Sequence, residues 1–81
     1  MDVHILTWLK DGKYRVKVLK LLKSKTFLPS ELAKELDLNR ASISRILKQM
    51  KEKKLIDSIS AGSRTVSYRI SEKGKQAMKF L

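Results

Sequence analysis

The stretch Ser30-Glu31-Leu32-Ala33-Lys34-Glu35-Leu36-Asp37-Leu38-Asn39-Arg40-Ala41-Ser42-Ile43-Ser44-Arg45-Ile46-Leu47-Lys48-Gln49-Met50 decides the reading of this chain. Ser30 reads as a helix N-cap, with Glu31 in the first turn where the helix dipole favours an acid. Leu32, Ala33 and Leu36 then supply the buried face of a short helix. Asp37-Leu38-Asn39 forms a tight turn with one apolar residue pointing inward, and Asn39 is placed to cap the next helix, Arg40 to about Lys53. In that helix Ile43, Ile46, Leu47 and Met50 follow the i, i+3, i+4, i+7 spacing of a single buried stripe. Two helices joined by a three-residue turn, the second with one inward stripe, make a helix-turn-helix.

With that stripe inside, helical spacing turns Ala41, Ser44, Arg45 and Lys48 outward, with Ser42 and Gln49 on one flank and Arg40 in the first turn. Such a face suits the major groove of DNA. Small residues allow close approach to base edges, arginine offers a two-pronged donor to guanine, and serine bonds to bases or phosphates. The face holds no base, nucleophile or metal ligand, so an enzyme is not expected.

Upstream, Lys13 to Lys23 predicts a helix with Tyr14, Val18, Leu21 and Leu22 on one face and Leu19 at its margin. Lys13, Lys17, Lys20 and Lys23 gather on the other side, where they would supply a general positive field, and Val16 falls outside the apolar face. Val3 to Lys10 reads as a helix ended by Asp11-Gly12, although its alternation also permits a strand. Thr26-Phe27-Leu28-Pro29 is an extended connector. Downstream the period changes to two. Leu55 to Ser60 and Arg64 to Ile70 predict a hairpin around Ala61-Gly62-Ser63. Ser71 then caps a last helix through Leu81, in which Gly74 costs about 1 kcal/mol relative to alanine.

Composition narrows the function. The chain has 81 residues, enough for one small domain, and 19 Lys and Arg against 8 Asp and Glu leave a net charge of +11. Such a balance favours a polyanionic partner. It is patterned: Lys10 to Lys25 carries a local +6 (seven basic, one acidic) and Arg40 to Lys54 a +5 (six and one), while Thr26 to Asn39 between them is −2. There are no cysteines and His4 is the only histidine, so neither a disulfide nor a zinc cluster is expected. No apolar run approaches the roughly 20 residues of a membrane span, and no signal peptide is recognisable. A soluble cytoplasmic, nucleoid-associated protein is expected, with no membrane partner and no cofactor.

The segments Ser30 to Leu36, Asn39 to Leu47, Lys51-Glu52-Lys53-Lys54-Leu55-Ile56 and Tyr68-Arg69-Ile70-Ser71-Glu72-Lys73-Gly74, in this order and spacing, resemble the winged-helix transcriptional regulators of bacteria and archaea. The MarR and ArsR groups are the nearest in pattern. The resemblance implies that Arg40 to Lys53 is the recognition helix. It also implies that the hairpin is a wing whose tip, here Ser63, Arg64 and Thr65, reaches the backbone or minor groove. Metal-sensing members use Cys and His clusters that this chain lacks. The family often has glycine in the inter-helix turn and again before the Leu-Ile pair. Here those places hold Asp37 and Lys54, and a left-handed lysine costs about 1 kcal/mol.

The expected fold is α+β, mostly α: a winged helix-turn-helix with a three-helix core, a two-stranded β-hairpin wing and flanking N- and C-terminal helices. It occupies residues 1–81 as one domain, with the helix-turn-helix at about 30–53 and the wing at about 55–70; the apolar terminal segments 1–12 and 71–81 either form a two-fold dimer interface or pack on each other to complete a monomer's core. The expected function is sequence-specific regulation of transcription on double-stranded DNA by a homodimer. Ser30, Arg40, Ala41, Ser42, Ser44, Arg45, Lys48, Ser63, Arg64 and Thr65 are the candidate DNA-binding residues. The alternatives are a non-specific architectural DNA binder of the same fold and a winged-helix protein-interaction module; RNA is less favoured because no aromatic stacking platform is evident.

Overall fold

The computed structural model describes residues 2–60 and 65–81. In chain order they form α1 (Val3–Asp11), α2 (Arg15–Ser24), α3 (Pro29–Leu36), α4 (Arg40–Glu52), β1 (Ile56–Ser60), β2 (Val66–Ile70) and α5 (Glu72–Met78). The strands pair antiparallel, with Ile56 opposite Ile70, Ser58 opposite Tyr68 and Ser60 opposite Val66. This is the α+β winged-helix architecture read from the residues, and the start of α1 is capped by the Asp2 carboxylate, which accepts from the His4 N–H at 2.9 Å.

The two helices of the central motif end in the same way. Asp37 and Lys54 both adopt positive φ, 55° and 62°. The Leu38 N–H bonds to the Ala33 carbonyl at 2.9 Å and the Asp37 N–H to the Lys34 carbonyl at 3.3 Å. After α4, Leu55 donates to the Met50 carbonyl at 3.0 Å and Lys54 to that of Lys51 at 2.9 Å. Each pattern is a Schellman closure with a leucine just beyond the left-handed residue. Leu38 is half-buried and Leu55 fully buried, so both closures turn the chain back onto the core. The glycine-favouring positions anticipated at Asp37 and Lys54 are therefore real. Lys54→Gly is expected to stabilise the domain by about 1 kcal/mol, since it removes the Cβ–carbonyl crowding of a left-handed lysine. An unchanged urea midpoint would show that Lys54 makes compensating contacts.

At α3 the structure corrects the expected cap. The helix begins at Pro29, with Leu28 extended before it. Proline fits the first helical position because that N–H has no helical partner. Glu31 reaches back to accept from the Leu28 N–H at 2.8 Å, so Ser30 lies inside the first turn and is not the N-cap. The Asn39 cap holds: its side-chain oxygen accepts from the Ser42 N–H at 2.7 Å. At α2 the helix starts two residues later than expected, and Leu19, assigned to the margin, is fully buried beside Val18 and Leu22. Val16 is half-buried against the core. Both differences have one cause: α2 packs on α1, α3, β2 and α5, so a broader arc is covered than a single-sided pattern suggests.

Two contacts between distant segments complete the domain. Phe27 bridges Tyr68 of β2 through both backbone bonds, 3.1 and 2.8 Å, which lays the connector before α3 along the hairpin. Trp8 lies between Arg15 and Lys53, whose charged groups sit 4.1 and 4.9 Å from its ring centroid, and Arg15 also donates to the Trp8 carbonyl. These cation–π contacts tie α1 to the start of α2 and the end of α4.

The last helix stops at Met78, short of Leu81. Its N-terminus is fastened to the junction of α4 and β1. The Ser71 hydroxyl donates to the Lys54 carbonyl at 2.7 Å and accepts from the Gly74 N–H at 3.0 Å. A Cβ on Gly74 would lie 2.3 Å from the Leu55 carbonyl oxygen and 2.7 Å from Ile70 Cγ1. Glycine here permits close approach of α5 to the backbone. Gly74→Ala should therefore destabilise despite alanine's better helix propensity. Overpacking of roughly 1–3 kcal/mol exceeds the roughly 1 kcal/mol of propensity regained. A thermal midpoint equal to or above the parent's would contradict this.

Candidate nucleic-acid interface

The site grows from the way α4 is clamped. Ile43, Leu47 and Met50 are buried at 0–2% exposure, and Ile46 is half-buried beside them. With that stripe against the core, Ala41, Ser44, Arg45 and Lys48 are all exposed on the opposite face, and Arg40 is exposed in the first turn. Ser42 and Gln49 are half-buried on the flank, as their spacing implied. The Ser42 N–H is already engaged by Asn39. A helix of 13 residues is about 20 Å long, which spans the roughly 12 Å major groove of B-DNA. The only acid on α4 is Glu52, in its last position.

Beside this face a cleft opens between the starts of α3 and α4 and the base of the wing, lined by Leu28, Pro29, Ser30, Arg40, Thr65 and Val66. It brings together Ser30, Arg40 and Thr65, which are far apart in sequence. Because α3 begins one residue before Ser30, that side chain is not consumed in capping and instead lines the cleft. Ser63 and Arg64 lie outside the described residues.

One residue of this region escaped the sequence reading. Lys51, exposed one turn beyond Lys48, donates from Nζ to the Ser58 hydroxyl of β1 at 3.0 Å, linking the exposed end of α4 to the first strand of the wing. Its spacing from Lys48 was the available signal, but the strand position of its acceptor is a tertiary fact. Among the described residues no group of three or more His, Cys, Asp or Glu is placed to hold a metal. Nor is any helix long and apolar enough to cross a membrane.

A clamped helix with an exposed basic face, a hairpin beside it and a polar cleft between them make up a winged helix-turn-helix. Residues 5–58 match the profile of the bacterial regulatory proteins of the arsR family, and the chain belongs to that family. No curated protein matches its sequence. Among solved structures it resembles the adhesin competence repressor AdcR of Streptococcus pyogenes (17% identity, TM-score 0.80, 85% of this chain and 53% of that one). It also resembles reduced HlyU of Vibrio cholerae (22%, 0.80, 94% and 79%). These two likenesses concern the fold alone. ZitR of Lactococcus lactis, solved as its C30S mutant in complex with DNA, is 28% identical with a TM-score of 0.72 over 78% of this chain. The chain spans about half the length of AdcR and 44% of ZitR.

Proposed function

We propose that this protein is a sequence-specific, homodimeric regulator that lays α4 in the major groove and its wing on the backbone or minor groove. The observation that carries the reading is the exposed face of α4: Ala41, Ser44, Arg45 and Lys48 in a row, with no acid before Glu52. ZitR, similar over most of this chain, has been solved bound to DNA, which favours the same partner here. Arg45 acts as the main base reader through its two-pronged donor geometry, with Ser44 and Lys48 beside it and Ala41 allowing close approach. Ser30 and Arg40 hold a phosphate in the cleft at the start of α3, and Thr65 with Ser63 and Arg64 engages the backbone from the wing. Such phosphate contacts set register, and base contacts set sequence.

A single recognition helix reads few base pairs, so two copies related by a two-fold axis would read half-sites one helical turn apart. Ile5, Leu9 and Ala77 are buried in the protomer's own core. Among the described residues of the two terminal segments, the large apolar groups most open to a second copy are Val3, Phe80 and Leu81, exposed at 67%, 58% and 38%. A monomer by sedimentation at high micromolar concentration would remove the dimer.

Selection from randomised duplexes at about 0.15 M salt tests the specific reading: it should enrich an inverted repeat with half-sites about 10 base pairs apart. The second reading, architectural binding, draws on lysine outnumbering arginine 14 to 5, since lysine acts as a point charge. Retention of duplex with no enriched sequence and a steep salt dependence would establish it.

A further inference from the structure

A second surface lies away from α4 and the wing. Lys17, Lys20 and Leu21 of α2 face Glu35 and Leu36 of α3 across a shallow groove of about 240 Å³. Leu21 and Leu36 are half-buried and form its floor, while Lys17, Lys20 and Glu35 are exposed on its rims. Lys17 is steadied by the Tyr14 ring, 5.5 Å from its centroid. Among the described residues the salt bridges are Asp57–Arg69 and Glu72–Lys75, so neither groove lysine is neutralised by a carboxylate. The apolar floor and Glu35 suit a phosphate backbone poorly, because one offers no donor and the other repels it. Among the described residues, none lining the groove comes from α4 or the hairpin, so DNA on those elements leaves it open.

We infer that this groove docks an acidic amphipathic helix of a partner protein. The partner's leucine-type side chain enters between Leu21 and Leu36, its carboxylates face Lys17 and Lys20, and a neutral or basic residue faces Glu35. Apolar anchors seated in a groove between helices are a recurrent mode of helix recognition. The volume suffices for one or two such side chains, given that a cavity of about 150 Å³ accepts benzene. The net charge of +11 attracts such a helix from a distance, and the charge asymmetry of the two rims sets its direction.

The test uses the full chain, labelled with ¹⁵N. It is titrated with a synthetic amphipathic helix bearing leucines at i, i+3 and i+7, glutamates on one flank and lysines on the other. Amide shifts should centre on Lys17 to Leu21 and on Glu35 and Leu36, and should persist when duplex DNA is bound. The same peptide with serine for leucine should bind far more weakly. Lys17→Glu combined with Lys20→Glu, both exposed, should weaken the parent peptide by roughly tenfold with the remaining spectrum unchanged. Equal binding of the serine peptide, displacement of the peptide by duplex DNA, or shifts confined to α4 would overturn the inference, since each reduces it to general charge attraction. So would concentration-dependent shifts of Leu21 and Leu36 without peptide, which would assign the groove to a second copy of this chain. The DNA-binding reading is unaffected by any of these results, and its own failure in the duplex selection leaves the peptide titration interpretable.

Discussion

Arg45→Ala is expected to cost roughly 1–3 kcal/mol on the preferred duplex and to relax discrimination at the base pair it reads. Arg45 is exposed at the middle of α4's outward face, while Ile43 and Leu47, two residues to either side, are fully buried. The substitution therefore removes a guanidinium without disturbing the clamp that holds the helix. Anisotropy titrations on the selected duplex and on a scrambled one separate the two effects. Loss on the selected duplex alone identifies a base contact. Equal loss on both, with a salt slope reduced by about one, would mean that Arg45 touches phosphate and that base readout lies elsewhere on the face.

Leu9→Ala should be among the most damaging single changes to the fold. Leu9 is 0% exposed in α1, the helix that Trp8 fastens between Arg15 and Lys53. Truncating a fully buried leucine costs about 2–5 kcal/mol, a large share of the 5–15 kcal/mol typical of a whole domain. The loss should appear in urea denaturation at every protein concentration, because the cavity forms within one protomer. A loss seen only at concentrations where copies associate would instead mean that α1 is stabilised chiefly by a second copy. Such behaviour would favour the dimer-interface reading of the N-terminal segment over its packing into a monomer's core.

The most legible parts of the chain were those governed by local chemistry. The stripe Ile43, Ile46, Leu47, Met50 fixes which face of α4 is buried, and so which residues are outward. Asn39 could be placed as a cap because its side chain needs only the backbone three residues on. Asp37 and Lys54 stand where the resembling family often has glycine, and both carry positive φ. Less legible were residues whose surroundings come from elsewhere in the chain. Leu19 and Val16 looked marginal because an amphipathic pattern assumes one buried side, whereas α2 is covered on several. Ser30 looked like a cap because serine so often is one, but Pro29 starts the helix a residue earlier and leaves Ser30 on the cleft.

By itself, then, the sequence determined the helix-turn-helix, its outward basic face and the hairpin that follows, because helical and strand periods and backbone caps act within a few residues. Only the tertiary structure decided that Ser30, Arg40 and Thr65 share a cleft, that Phe27 lies against Tyr68, and that Gly74 lets α5 close onto Leu55. It alone also opened the groove between α2 and α3. Each of these depends on how separate segments pack, and packing is settled by mutual burial across the chain, which no local pattern encodes.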